Sequence, residues 1–199
     1  MAIAGTTPGT LGHAEDRAIR VTQTLESLDR DVYLHLVTTD LRILSVFDDT
    51  AYDRADADML SPAMRQHAIA KLRRLGFRQK TGTLLVHDES DIRFIIPKFH
   101  ALGASPFDIA RYVELGPQDF LILTPTQTAC QFIDNYPLDE AVAAVKSLIE
   151  TQPINIYRLM DYLEKKPTHQ DFLKAIGHLK YVQRMAVTSE PLCRRRALG

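Results

Sequence analysis

Three stretches of the sequence decide the fold: VYLHLVTTDLRILSV at residues 32–46, TLLVHDESDIRFII at residues 83–96, and FLILTPTQTACQFI at residues 120–133. In each stretch, apolar residues stand on both sides of a short polar turn, which is the pattern of two paired strands. Apolar residues at helical spacing separate each stretch from the next. We therefore predict an α+β fold with a mainly antiparallel sheet of about six strands, built from three hairpins with intervening helices.

The rest of the chain follows a different pattern. From Pro137 onward the apolar residues keep helical spacing only, in three segments separated by Pro153 and Pro167. This predicts a C-terminal three-helix part packed against the sheet. The predicted organisation is a flexible N-terminal arm at 1–13, an α+β domain at 14–136, a helical part at 137–190 and a basic tail at 191–199.

The composition is that of a globular protein, with 45% hydrophobic and 25% charged residues. No stretch approaches the ~18 consecutive apolar residues of a membrane helix, and Met1–His13 has neither the basic nor the apolar part of a secretory signal. The two cysteines, Cys130 and Cys193, do not form a disulfide framework. We expect a cytoplasmic protein without membrane contact.

Charge is unevenly distributed along the chain, although the net charge is only −1. Asp31–Leu60 has seven acidic and two basic residues, whereas Ser61–Lys80 has six basic residues and no acidic one. Ala101–Glu164 has nine acidic and three basic residues, and Lys165–Gly199 has two acidic and eight basic residues. Such blocks indicate either surfaces that bind charged partners or solvated helix faces that complement each other.

Two basic groups are candidates for contact with nucleic acid, because Lys and Arg neutralise phosphates. The first group straddles the end of the second predicted helix and comprises Lys71, Arg73, Arg74, Arg78 and Lys80. The second is the arginine triplet of the tail, Arg194, Arg195 and Arg196. Each has a structural alternative: the first complements the negative end of a helix dipole, and the second promotes solubility or docks on an acidic surface of the same protein.

The segment Leu102–Val113 resembles the turn and recognition helix of a helix-turn-helix motif. Gly103 would make the turn, Ser105 would cap the second helix, and Arg111 would face the DNA groove together with its neighbours. The alternative is a well-capped helix that crosses between two hairpins. The residues before the segment favour this alternative, because Ile95 and Ile96 belong to a predicted strand.

Few features of the sequence indicate catalysis. The sequence has no phosphate-binding glycine loop, no nucleophile elbow and no Cys-x-x-Cys pair. The acidic segment 48–58 lacks the turn glycine and closing glutamate of a calcium loop. We therefore expect no metal and no cofactor. An enzyme would need a site assembled from dispersed residues near His87 and His100, with Asp88 and Cys130 as further candidates, although Cys130 also fits a buried inert thiol.

The sequence therefore favours a small cytoplasmic binding or regulatory module. A protein partner or a second copy of the chain is the expected partner, and nucleic acid is a further candidate through the basic patches. The alternatives are the enzyme with a dispersed site and a structural subunit of a larger assembly.

Overall fold

The computed structural model describes residues 9–31, 33–46, 62–97, 115–164, 166 and 169–189. Within these ranges it contains seven helices and six strands. In chain order they are α1 (Gly9–Asp29), β1 (Leu34–Thr38), β2 (Ile43–Val46), α2 (Pro62–Arg74), β3 (Arg78–Gln79), β4 (Leu84–His87), β5 (Ile92–Ile95), β6 (Asp119–Leu123), α3 (Pro125–Asn135), α4 (Leu138–Thr151), α5 (Ile156–Glu164), α6 (Gln170–Leu173) and α7 (Ile176–Ser189).

The six strands form one sheet in the order β1-β2-β6-β5-β4-β3. The predicted α+β class and two of the predicted hairpins are confirmed: β1 pairs antiparallel with β2, and β4 pairs antiparallel with β5. However, β6 lies between the two hairpins and is parallel to both β2 and β5. The sheet is therefore mixed, and the prediction of a mainly antiparallel sheet is wrong.

The third predicted hairpin is also wrong, because residues 125–135 form helix α3 instead of a turn and a returning strand. Thr124 caps this helix: its side chain accepts a hydrogen bond from the Gln127 amide, and the Gln127 side chain accepts one from the Thr124 amide. This reciprocal pair is a capping box, and Pro125 occupies the first helical position. The residues interpreted as a turn are thus a helix start.

The remaining helices differ from the prediction in detail. Helix α2 matches the predicted segment, and Gly76 follows it in the left-handed conformation of a C-terminal stop, with φ of 91°. Helix α1 begins at Gly9, before the predicted start at Ala14. The third helix predicted for the C-terminal part is divided into α6 and α7, so the described residues after Pro137 form four helices instead of three.

Helices cover both faces of the sheet. On one face, Leu44, Phe94 and Ile122 form a core with Leu28 of α1 and Leu72 of α2. The alternating residues Ile43, Leu121 and Leu123 point to the opposite face. On that side the buried Ser45 hydroxyl donates a 2.7 Å hydrogen bond to Gln152, which directly follows α4. Helices α3–α7 form their own apolar core there.

A half-buried ion pair joins the beginnings of β5 and β6. Arg93 makes a bidentate contact with the carboxylate of Asp119, which is only 1% exposed. The Gly116 amide donates to the same carboxylate at 2.7 Å, and Arg42 Nε donates to the Asp119 carbonyl at 2.9 Å. The hydrogen bond to Asp119 raises the pKa of Arg93. This network fixes the central strand against its neighbours.

Candidate functional site

The first predicted basic group lies on α2 and β3, and most of its members contact acidic or polar side chains of the same chain. Lys71 Nζ is 3.5 Å from Asp31, and Arg73 donates to Gln79 at 3.1 Å. Arg78 and Lys80 both pair with Asp88. Arg74 is exposed near the end of α2. A phosphate at this group would have to compete with the two carboxylates.

Asp31 is the more tightly held of these two acids. Its carboxylate lies 2.7 Å from His67 Nε2 and accepts a hydrogen bond from the Tyr33 amide. Burial acts to raise the pKa of Asp31, but these hydrogen bonds and the electrostatic effects of His67 and Lys71 lower it overall. Asp31 therefore connects the end of α1 to α2.

His87 lies at the β4–β5 hairpin and contacts structural neighbours. Its Nδ1 is 3.0 Å from the Ser90 hydroxyl, and its ring packs 5.2 Å from the ring of Phe77. Glu89 at the same hairpin pairs with Arg20 of α1, and the hydrogen bond from Arg20 lowers the pKa of Glu89. Cys130 is fully buried, in α3 and not in a strand.

Several predicted features lie outside the described residues. They are the helix-turn-helix segment 102–113 with Arg111, the acidic segment 48–58, His100, and the tail residues Arg194, Arg195 and Arg196. These assignments stay predictions. The neighbouring strand β5 extends to Ile95, where a complete helix-turn-helix would require its first helix.

An exposed aromatic and basic surface is formed by α5 and α7, and sequence reasoning did not identify it. We call it the α5–α7 face and define it by Tyr157, Lys180, Tyr181, Arg184 and Met185. Tyr157 and Tyr181 are 57% and 58% exposed, and Met185 is 46% exposed. The ammonium of Lys180 lies 5.1 Å from the centre of the Tyr157 ring, which is a cation–π distance.

Helix geometry explains why four of these side chains, Lys180, Tyr181, Arg184 and Met185, lie together on the exposed side of α7. Ile176, Leu179 and Gln183 are buried and fix the inner side of α7. At roughly 100° per residue, Lys180, Arg184, Tyr181 and Met185 then follow one another around the outer side. The sequence signal for this surface is that Tyr181 and Met185 lie outside the buried side of α7 and next to Lys180 and Arg184. That signal becomes visible only when the inner side of the helix is known.

A second group that sequence reasoning missed surrounds Asp134 at the end of α3. Tyr162 donates to Asp134 at 2.6 Å, His169 Nε2 lies 2.8 Å from it, and Lys166 Nζ lies 3.6 Å from it. Lys166 also lies over the Tyr162 ring and contacts its hydroxyl. The Asp134 side chain is 6% exposed. These contacts join α3, α5 and the segment that leads into α6.

A cleft of about 650 Å³ separates the edge strand β1 from α4. Its walls include Leu36 of β1, Leu148 of α4, and Phe132 and Tyr136 at the end of α3. At its rim the Tyr136 hydroxyl donates a 2.5 Å hydrogen bond to Asp40. This bond lowers the pKa of Asp40, while burial and the nearby Asp40 raise the pKa of Tyr136.

Within the described part of the chain, no three His, Cys, Asp or Glu side chains come together as a group able to hold a metal ion. Nor does any helix in those ranges have the length and apolar character needed to cross a membrane. Comparison of this chain with protein-family models, with curated proteins and with solved structures finds no match in any of the three.

Proposed function

We propose that this protein is a binding module that holds single-stranded nucleic acid on the α5–α7 face. The observation that carries the proposal is a pair of tyrosines, each more than half exposed: Tyr157 lies beneath the ammonium of Lys180, and Tyr181 follows Lys180 in α7. Exposed aromatic rings beside cations are the usual means of binding unpaired bases and their phosphates, with stacking contributing about 1–3 kcal/mol per base.

The charge of α7 supports the proposal. Helix α7 contains no acidic residue, while Lys180 and Arg184 lie one turn apart on its outer side. The nearest acid before it, Asp171, pairs with Lys174 at 2.6 Å. A phosphate chain along α7 would therefore meet the positive charges of Lys180 and Arg184.

The two predicted basic groups receive different support. On α2 and β3, the carboxylates of Asp31 and Asp88 pair with Lys71, Arg78 and Lys80 and offset part of their positive charge. The α7 side of the α5–α7 face belongs instead to the basic C-terminal block, Lys165–Gly199, which includes the predicted tail triplet. We therefore place the nucleic-acid contact at the C-terminal helices, with the tail as a further phosphate contact.

The structural-subunit alternative receives less support, because the described sheet edges are poor sites for strand pairing. At the β1 edge, the Asp29 carboxylate accepts a hydrogen bond from the Leu36 amide, and a bulge interrupts the strand between Leu36 and Thr38. At the other edge, β3 has only two residues. Blocked, irregular or very short edge strands oppose edge-to-edge assembly.

The enzyme alternative near His87 and His100 also receives less support. His87 packs against Phe77 and contacts Ser90, which gives it a structural role in the hairpin. A protein partner for the α5–α7 face remains the competing binding function, since Tyr, Met and Arg are also enriched in protein interfaces.

The test is binding of labelled single-stranded DNA and RNA of about 12 nucleotides, followed by fluorescence anisotropy at about 50 and 200 mM salt. We expect Tyr157→Ala/Tyr181→Ala to weaken binding at least about tenfold, because two stacking rings are lost. Lys180→Ala/Arg184→Ala should reduce the slope of log affinity against log salt by about 1.4.

The matched control is Arg73→Ala/Arg74→Ala, which also removes two exposed positive charges from one helix. It should change affinity less than about twofold if the contact lies on α5 and α7. No binding at low salt would overturn the nucleic-acid function and leave a protein partner as the occupant of this face. An equal loss in the control would move the contact to the α2 group.

A further inference from the structure

We propose that the cleft between β1 and α4 binds a small cationic molecule with an apolar body, such as an arylalkylamine. The cleft lies among β1, the end of α3 and α4, apart from the α5–α7 face, so this inference does not depend on the nucleic-acid function. Its volume of about 650 Å³ is within the usual range for small-ligand sites, about 300–1,000 Å³.

The charge of the cleft favours a ligand with a positive charge. Of the described residues that line it, none is Lys, Arg or His, and Asp29 is acidic. Asp40 adds a second carboxylate at the rim through its hydrogen bond with Tyr136. Because the hydrogen bond from Tyr136 lowers the pKa of Asp40, this carboxylate is negative at neutral pH. The two carboxylates therefore favour a cation over an anion here.

The apolar walls of the cleft favour an apolar body in the same ligand. The rings of Phe132 and Tyr136 stack with their centres 5.5 Å apart and their planes at 15°. Val37 and Leu148 supply aliphatic surface. An aromatic or aliphatic body would pack against these side chains, and a nearby ammonium would be attracted to the aromatic faces as well as to the carboxylates.

An extended peptide is a poorer fit, although β1 is an edge strand. Strand addition needs regularly spaced, unoccupied backbone groups along the edge. Here Asp29 already accepts the Leu36 amide at 3.2 Å, and the bulge after Leu36 breaks the spacing. A compact ligand can use the cleft without pairing with the strand.

The experiment compares three probes of similar shape and different charge: 2-phenylethylamine, 2-phenylethanol and 3-phenylpropionate. Amide ¹H–¹⁵N spectra of the full chain are recorded during each titration. We expect the amine to shift amides along the β1 and α4 walls with a dissociation constant on the order of millimolar, as is usual for a fragment. The alcohol should bind at least about fivefold more weakly, and the carboxylate should not shift these amides.

Three variants test the location and the charge. Ala144→Phe fills the cleft and should abolish the response, whereas Ala143→Phe on the outer side of the same helix should preserve it. Asp29→Asn keeps an acceptor for the Leu36 amide but removes the charge, so it should reduce the preference for the amine over the alcohol about threefold. The proposal is overturned by shifts outside the cleft, by equal responses to amine and carboxylate, or by no response to any probe.

Discussion

Gly76 and Gly177 differ in whether their backbone positions can accept a side chain. Gly76 has φ of 91°, and a Cβ there would lie 3.0 Å from His87 Nε2. Gly177 lies in α7, with nothing within 4 Å of the position of an added Cβ. We predict that Gly76→Ala destabilises the fold by about 1 kcal/mol or more, and that Gly177→Ala stabilises it by about 0.5 kcal/mol.

Urea unfolding of the two variants measures both effects against the same parent protein. The paired design separates backbone conformation from any general effect of an added methyl group. A neutral Gly76→Ala variant would contradict the left-handed backbone and the close approach of His87.

The lowered pKa of Asp31 predicts how the free energy of unfolding depends on pH. Its pKa in the folded protein is below the usual value of 3.8, so the unfolded chain takes up the proton more readily. The stability from Asp31 is therefore present above about pH 4 and is lost as the pH falls through the lower folded pKa. Asp31→Asn should lower stability at neutral pH by about 1–2 kcal/mol. It should also make stability depend less steeply on pH on the acid side.

Urea midpoints between about pH 7 and pH 3 test this sign. Glu164→Gln is the control, because Glu164 is exposed at the end of α5. If Asp31→Asn and Glu164→Gln give the same acid dependence, the lowered pKa of Asp31 does not contribute to stability.

Helix α3 explains why one element was predicted incorrectly. Residues 125–133 are all buried, so no polar side marks a helical period, and Cys130 to Ile133 still alternate as a strand would. The decisive signal was local: Thr124, Pro125 and Gln127 fit a capped helix start at least as well as a turn. By contrast, α2 has an exposed side and a clear stop at Gly76, and it was predicted almost to the residue.

The helices that follow the sheet depend on Asp134, because its carboxylate joins three segments. Asp134→Asn keeps the shape but removes the charge that faces Lys166 and His169. We predict a loss of about 2–3 kcal/mol in unfolding free energy. Asp171→Asn, at an exposed pair with Lys174, should leave the midpoint unchanged. Thermal unfolding of the two variants compares them, and equal midpoints would show that the Asp134 contacts add nothing.

The order of the strands could not be read from the sequence, although most of the strands could. β6 is buried at every position and has no alternation, which is typical of a central strand with helices on both faces. This feature could have suggested a parallel neighbour. Its insertion between β2 and β5, however, depends on contacts distant in sequence. The cleft and the α5–α7 face depend equally on such contacts. The sequence alone therefore could not show that their residues lie together.

The exposed tyrosines of the α5–α7 face and their neighbouring cations lead to the central proposal, that nucleic acid binds at α5 and α7 and not at α2 and β3. The most direct measurement is an amide ¹H–¹⁵N titration of the full chain with an unlabelled single-stranded oligonucleotide of about 12 nucleotides. The account predicts shifts centred on residues 156–160 and 176–186. Shifts centred on residues 71–80, or no shifts at low salt, would contradict it.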